Sequence, residues 1–215
     1  GEFSKIVARL GGTDNAFTTQ DFTAYHQTVA SEHLERVMKM EADRMQNLVL
    51  TDPIVLPERD VVLEERRSRF ENNPAAELSL KVAEALYGNH PYGKPVIGWT
   101  DELENLTTAD ALAFYQRYYA PNNAILVVAG DVTAATLRPL AEKIYGAIPR
   151  REISPHGTDQ EDGIQEARRV VMRSTEVRQP SFLRRYLAPN QGRAVAGEAQ
   201  ALEVLAEILG GGGTS

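Results

Sequence analysis

Phe3, Ile6, Val7 and Leu10 recur at three- to four-residue steps, the spacing of one helix face, and the Gly11-Gly12 pair predicts where that helix stops. "TDNAFTTQDFTAYHQTVA" then changes to a two-residue alternation rich in Thr, Phe, Tyr and Val. It predicts a β-hairpin with strands over 14–19 and 22–29 and a break at Gln20-Asp21. Helical spacing returns with Leu34, Val37, Met38, Ala42, Met45 and Leu48, behind Ser31 as the expected cap. "LTDPIVLP" breaks that helix. Pro57 is expected in the first turn of the next one, which carries Glu58 and Glu65 and ends at "NNP", where Pro74 opens another.

"GNHPYGKPVIGW" is punctuated by Gly and Pro and reads as a loop, followed by a helix over 108–119. The apolar run 124–129 has strand length and flanking turn signals, which predicts a strand in the middle of a sheet. A helix over 133–145 completes a first unit, 1–149. Residues 150–166 are polar and acidic and read as a linker. Beyond it, "RRVVMRSTEV" and "PSFLRRYLAP" predict two strands and "GRAVAGEAQALEVLAEILGGG" a helix, so 167–215 reads as the truncated start of a second, similar α+β unit. Both ends read as cuts, one inside a helical pattern and the other after a glycine run.

Composition narrows the chemistry. A net charge of −7 argues against a nucleic-acid surface, since phosphate contacts need clustered Lys and Arg. With no cysteine, any zinc must be held by His and carboxylate ligands. No apolar run approaches the length of a membrane span.

Glu58 and Glu65 lie seven residues apart, so on a helix both carboxylates point the same way. Two explanations stay open at this point: a solvated charged face, or a metal ligand with an orienting helper.

The order of five segments, "GEFSKIVARLGGTDNAFTTQDFTAYHQ", "ERDVVLEE", "HPYGKPVIGW", "YYAPNNAILVVAGDV" and "ILGGGGTS", closely resembles bacterial members of the pitrilysin/insulinase family of zinc metallopeptidases, relatives of the mitochondrial processing peptidase. The resemblance implies an α+β two-layer sandwich, with a mostly antiparallel mixed sheet and helices on one face. It also implies a zinc endopeptidase that hydrolyses peptides or unfolded proteins. By this resemblance Glu65 is the third zinc ligand and Glu58 its supporting acid, with Glu64 solvated. Asn15, Ala16 and Phe17 would lie on the edge strand beside the extended substrate. A second half or partner subunit would close the chamber, and the parent protein would be periplasmic or secreted.

One departure limits what this chain can do alone. The family's His-x-x-Glu-His motif does not occur, and the four histidines, His26, His33, His90 and His156, show no such pairing. In the family the motif, with its general-base glutamate, lies shortly upstream of "GEFSKIV". The expectation is therefore a catalytically inactive fragment that binds no zinc by itself, with an exposed edge strand open to self-association. The alternative is a non-catalytic partner or inactive half that completes another chain's chamber. His90 and Tyr92 are expected to be loop and packing residues.

Overall fold

A computed structural model describes residues 1–153 and 166–211. Helix α1 (Glu2–Arg9) buries Val7 completely and stops at Gly11, whose φ of +72° suits glycine. Gly12 is needed for a different reason. A Cβ there would stand 2.5 Å from the Thr28 carbonyl and 2.7 Å from a Val29 methyl.

Strands β1 (Thr13–Thr18) and β2 (Thr23–Thr28) pair antiparallel, Asn15 opposite His26 and Ala16 opposite Tyr25. The turn contains no residue with positive φ. Thr19 closes it instead: its hydroxyl accepts from the Asp21 and Phe22 N–H groups, and its own N–H donates to the Phe22 carbonyl at 2.8 Å.

Helices α2 (Leu34–Asn47), α3 (Asp52–Arg66), α4 (Pro74–Tyr87), α5 (Thr100–Asn105), α6 (Thr108–Tyr118) and α7 (Ala134–Tyr145) follow, and α8 (Glu198–Ala206) lies near the far end. The result is an α+β arrangement. The hairpin lays one face on helices: on that face Gln27 donates to Glu41 of α2 at 2.6 Å, and the Tyr25 and Tyr119 hydroxyls share a 2.5 Å hydrogen bond. Arg44 stacks over the Tyr25 ring at 3.5 Å and pairs with Glu41. Tyr115, buried on α6, donates to the Arg44 carbonyl at 2.8 Å. No described helix is long and apolar enough to cross a membrane.

Several expectations need correction. Ser31 does not cap α2; it opens a 3-10 turn (Ser31–His33) with no side-chain cap, and the His33 N–H is already met by the Ala30 carbonyl. Helix α3 begins earlier than expected, after Thr51, so Pro53 is its first-turn proline and Pro57 lies inside it. Residues 100–105, between the expected loop and the expected helix over 108–119, form a further helix, α5. The runs 124–129, 168–177 and 180–189 are not strands, and the only sheet among the described residues is the hairpin. Strand propensity needs a paired neighbouring backbone to become a ladder, and among the described residues none pairs with these runs. Ile125, Val127, Phe182 and Tyr186 are left strongly exposed. The linker expectation falls largely on 154–165, outside the described residues.

Burial, and next the hydrogen bond shared with Tyr25, raises the pKa of Tyr119; burial, with Glu41 nearby, pushes Tyr145 up to about 12. Both phenols fold in their neutral form. Their contribution is complete below the ordinary tyrosine value of 10 and is lost as pH rises through the raised values. Spectroscopic titration should show these two tyrosines ionising last, together with loss of the fold. Tyr119→Phe should cost about 1 kcal/mol at neutral pH. All tyrosines ionising together near pH 10 in a folded chain would contradict this packing.

Candidate active-site face and substrate edge

Helix α3 sorts its residues into two neighbouring stripes. Val55, Arg59, Val62 and Arg66 recur at helical spacing and face protein, with Val55 and Arg66 buried. Both arginines dock α5. Arg59 Nη1 donates to the Glu104 and Leu106 carbonyls at its C-terminal end, at 3.2 and 3.4 Å, where a cation also complements the helix dipole. Arg66 Nε donates to the Gly98 carbonyl at 3.0 Å, just before α5 begins.

The second stripe is Ile54, Glu58, Val61 and Glu65, all exposed, with Ile54 at 50% and Val61 at 60%. The two glutamates thus share a helix and, by phase, a face. Glu65 is paired with Arg69, one turn on in the π-helical turn Arg67–Glu71. Glu64 pairs with Arg67 about a quarter turn away. Among the described residues no group of three His, Asp or Glu side chains stands close enough to hold a metal. One carboxylate engaged by an arginine is not a zinc site, because zinc needs at least three protein ligands.

The described histidines lie elsewhere. His26 faces Phe17 across the hairpin, with ring centres 6.3 Å apart, and His33 sits beside Glu32 in the 3-10 turn. His90 Nδ1 accepts from the Tyr92 N–H, and the Tyr92 hydroxyl donates to both Asp21 carboxylate oxygens at 2.8 Å. The "HPYG" loop therefore clamps the hairpin turn. His156 lies outside the described residues.

Among the described residues β1 has one open edge, since β2 covers the other. The bond from Thr19 to Phe22 sets the alternation: Phe17 and Asn15 direct their backbone groups to β2, while Asp14, Ala16 and Thr18 direct theirs to the open edge. Of the three residues expected beside a substrate, Ala16 alone offers its main chain. Its N–H is held at 2.8 Å by the side-chain oxygen of Asn15. Asn15 and Phe17 instead project from the outer face, where Phe17 meets Phe22 edge-on with ring centres 5.9 Å apart.

Sequence reasoning did not find the Tyr25, Tyr119, Arg44 and Glu41 network, because its members are 94 residues apart at the extreme and no local spacing links them. The docking arginines did leave a signal. Arg59 and Arg66 stand seven apart, in phase with Val55 and Val62.

Known proteins match this chain along nearly its whole length. Residues 1–100 match the family model "Insulinase (Peptidase family M16)", and residues 105–215 match "Peptidase M16 inactive domain". The zinc protease PqqE of Helicobacter pylori is 38% identical over 148 residues, covering 69% of this chain and 33% of the relative. An uncharacterized zinc protease of Mycobacterium tuberculosis is 31% identical over 215 residues, covering 98% of this chain and 48% of the relative. The chain therefore spans between a third and a half of these relatives' lengths. Among solved structures, a Helicobacter pylori protease superposes with a TM-score of 0.70 at 36% identity, over 75% of this chain and 39% of that one. The first half of the periplasmic protease PqqL from Escherichia coli superposes with a TM-score of 0.60 at 25% identity, over 67% and 31%. On these matches the chain belongs to the pitrilysin/insulinase (M16) family of zinc peptidases.

Proposed function

We propose that this chain contributes two parts of a zinc-dependent endopeptidase: the helix bearing one metal-binding carboxylate, Glu65, supported by Glu58, and the strand edge along which an extended peptide lies. The observation that carries the reading is the α3 stripe. Two acids in phase, flanked by the uncovered apolar side chains of Ile54 and Val61, describe a face that another element covers. A merely solvated face has no use for those apolar groups.

In this reading the histidine ligands and the general-base glutamate come from polypeptide outside these 215 residues, and zinc belongs to the intact protein. Among the described residues no three metal-ligating side chains stand together, and in this reading the chain alone neither retains zinc nor hydrolyses peptides. Its own contribution to substrate binding is the backbone of β1, which recognises extended chains with little demand on their side chains. We place the intact protein in the periplasm or outside the cell, as for the periplasmic Escherichia coli protease it resembles.

A second reading is favoured by the match of residues 105–215 to the inactive domain. There the chain is a non-catalytic half that completes a partner's chamber. Glu65→Ala separates the two in the assembled protein: it abolishes cleavage and zinc retention in the first reading and leaves both unchanged in the second.

For the chain alone, peptide-cleavage assays with added zinc should read blank, and calorimetry should show no tight one-to-one zinc binding. Tight stoichiometric binding would require a further ligand from the histidines. Ala16→Pro should leave the hairpin ladder intact, because the Ala16 N–H points away from β2. It should weaken self-association and capture of extended peptides by at most about fivefold, since an incoming strand must first displace the Asn15 side chain from the Ala16 N–H, and by more than Phe17→Ala does. Sedimentation and fluorescence titrations unchanged by Ala16→Pro would rule out this edge as the binding surface.

A further inference from the structure

We propose an interaction surface separate from both β1 and the Glu58/Glu65 face: the arginine-rich stretch 168–187, which docks an acidic polypeptide lying extended beside it. Residues 168–185 hold six arginines and one acid, Glu176, in a chain whose net charge is −7, so the remainder is more acidic still. Arg169, Arg173, Arg178, Arg184 and Arg185 are all exposed and form no ion pair among the described residues. Lys39 on α2 and Lys81 on α4, by contrast, are met one turn back by Glu35 and Glu77 at 2.8 and 2.7 Å.

The first part of the stretch runs along the surface in a two-residue phase. Arg168 Nη1 donates to the Ala85 carbonyl in the last turn of α4, at 3.0 Å. Val170, Met172 and Ser174 are half-buried, whereas Arg169, Val171 and Arg173 face outward. In the second part the Arg184 guanidinium lies over the Phe182 ring at 5.6 Å, the neighbour two residues back that a strand-like backbone puts on the same side. Phe182 is 84% exposed and Tyr186 75%. Among the described residues no backbone group of 180–187 has a hydrogen-bond partner in the protein.

Three properties coincide here: cations without partners, open main-chain groups, and exposed apolar side chains between them. An extended peptide supplies matching N–H and C=O groups, and its carboxylates meet guanidinium groups in the planar two-bond arrangement that arginine favours. A lipid surface fits less well, because main-chain groups pressed into hydrocarbon would lose water without gaining a partner. A nucleic acid could stack on Phe182 and Tyr186, but its phosphates would continue past the stretch over an acidic chain. The surface does not rest on the zinc-peptidase reading; under that reading its partner class is a class of substrates.

The test is fluorescence anisotropy on this chain with a labelled peptide alternating Glu and Val, and a twin with Gln for every Glu. At low salt the acidic peptide should bind at least about tenfold more tightly than its twin, and the advantage should vanish near 1 M salt, where the screening length is about 3 Å. Arg184→Gln combined with Arg185→Gln should cut the acidic peptide's affinity about fivefold at an unchanged melting temperature, since both positions are exposed. N-methylation of the peptide's alternate residues, which removes the N–H groups that pair with an open backbone, should weaken it by a similar factor. Ala16→Pro should leave the ratio between the two peptides unchanged, because that edge is a different surface. Equal binding of the two peptides, no effect of the arginine substitutions or of N-methylation, or loss of the preference in Ala16→Pro would overturn the assignment. So would tighter binding of single-stranded oligothymidylate or of phosphatidylglycerol vesicles than of the acidic peptide.

Discussion

The Arg44 guanidinium, stacked on the Tyr25 ring and paired with Glu41, is the joint on which the fold depends. A two-stranded hairpin is marginal in water and needs a covering layer. Here the cover is polar and aromatic. Tyr25 and Gln27 of β2 reach Tyr119 and Glu41, and Tyr115 ties α6 to α2 through the Arg44 carbonyl. From the far end, Tyr92 holds the turn through Asp21. Anchored by one face and its tip, the hairpin leaves the β1 edge open.

The same economy governs α3. Its buried stripe contains two arginines, and each is useful because it ends on a backbone carbonyl flanking α5. Fixing α3 by that stripe turns the neighbouring one, with Glu58 and Glu65, outward. The acids and the strand edge are thus positioned by different anchors. Their proposed roles separate accordingly: the helix offers side-chain oxygens and the strand offers main-chain groups.

Local periodicity made most helices legible, and the hairpin strands lie within a residue of their expected bounds, because amphipathic spacing and strand alternation are properties of neighbouring residues. Glu58 and Glu65 were legible for the same reason, being seven apart on one helix. What could not be read depends on distant partners. The run 124–129 has every local mark of a strand, yet among the described residues no backbone pairs with it, and Ile125 and Val127 are exposed. The segments 168–177 and 180–189 fail in the same way. Ser31 shows the opposite case: a good capping residue was unnecessary because a 3-10 turn had already used the N–H it would have served. The proposed substrate edge was legible as a strand. Which of its residues faces outward had to come from the Thr19–Phe22 hydrogen bond.

The central claim is that the Arg44 joint holds the hairpin in a register that presents Asp14, Ala16 and Thr18 on an open edge. Residue-resolved amide hydrogen exchange tests it most directly. The account predicts slow exchange at Asn15 and Phe17 and fast exchange at Asp14 and Thr18, with the contrast lost in Arg44→Met. Uniform protection along β1, the reverse alternation, or a contrast that survives Arg44→Met would contradict it.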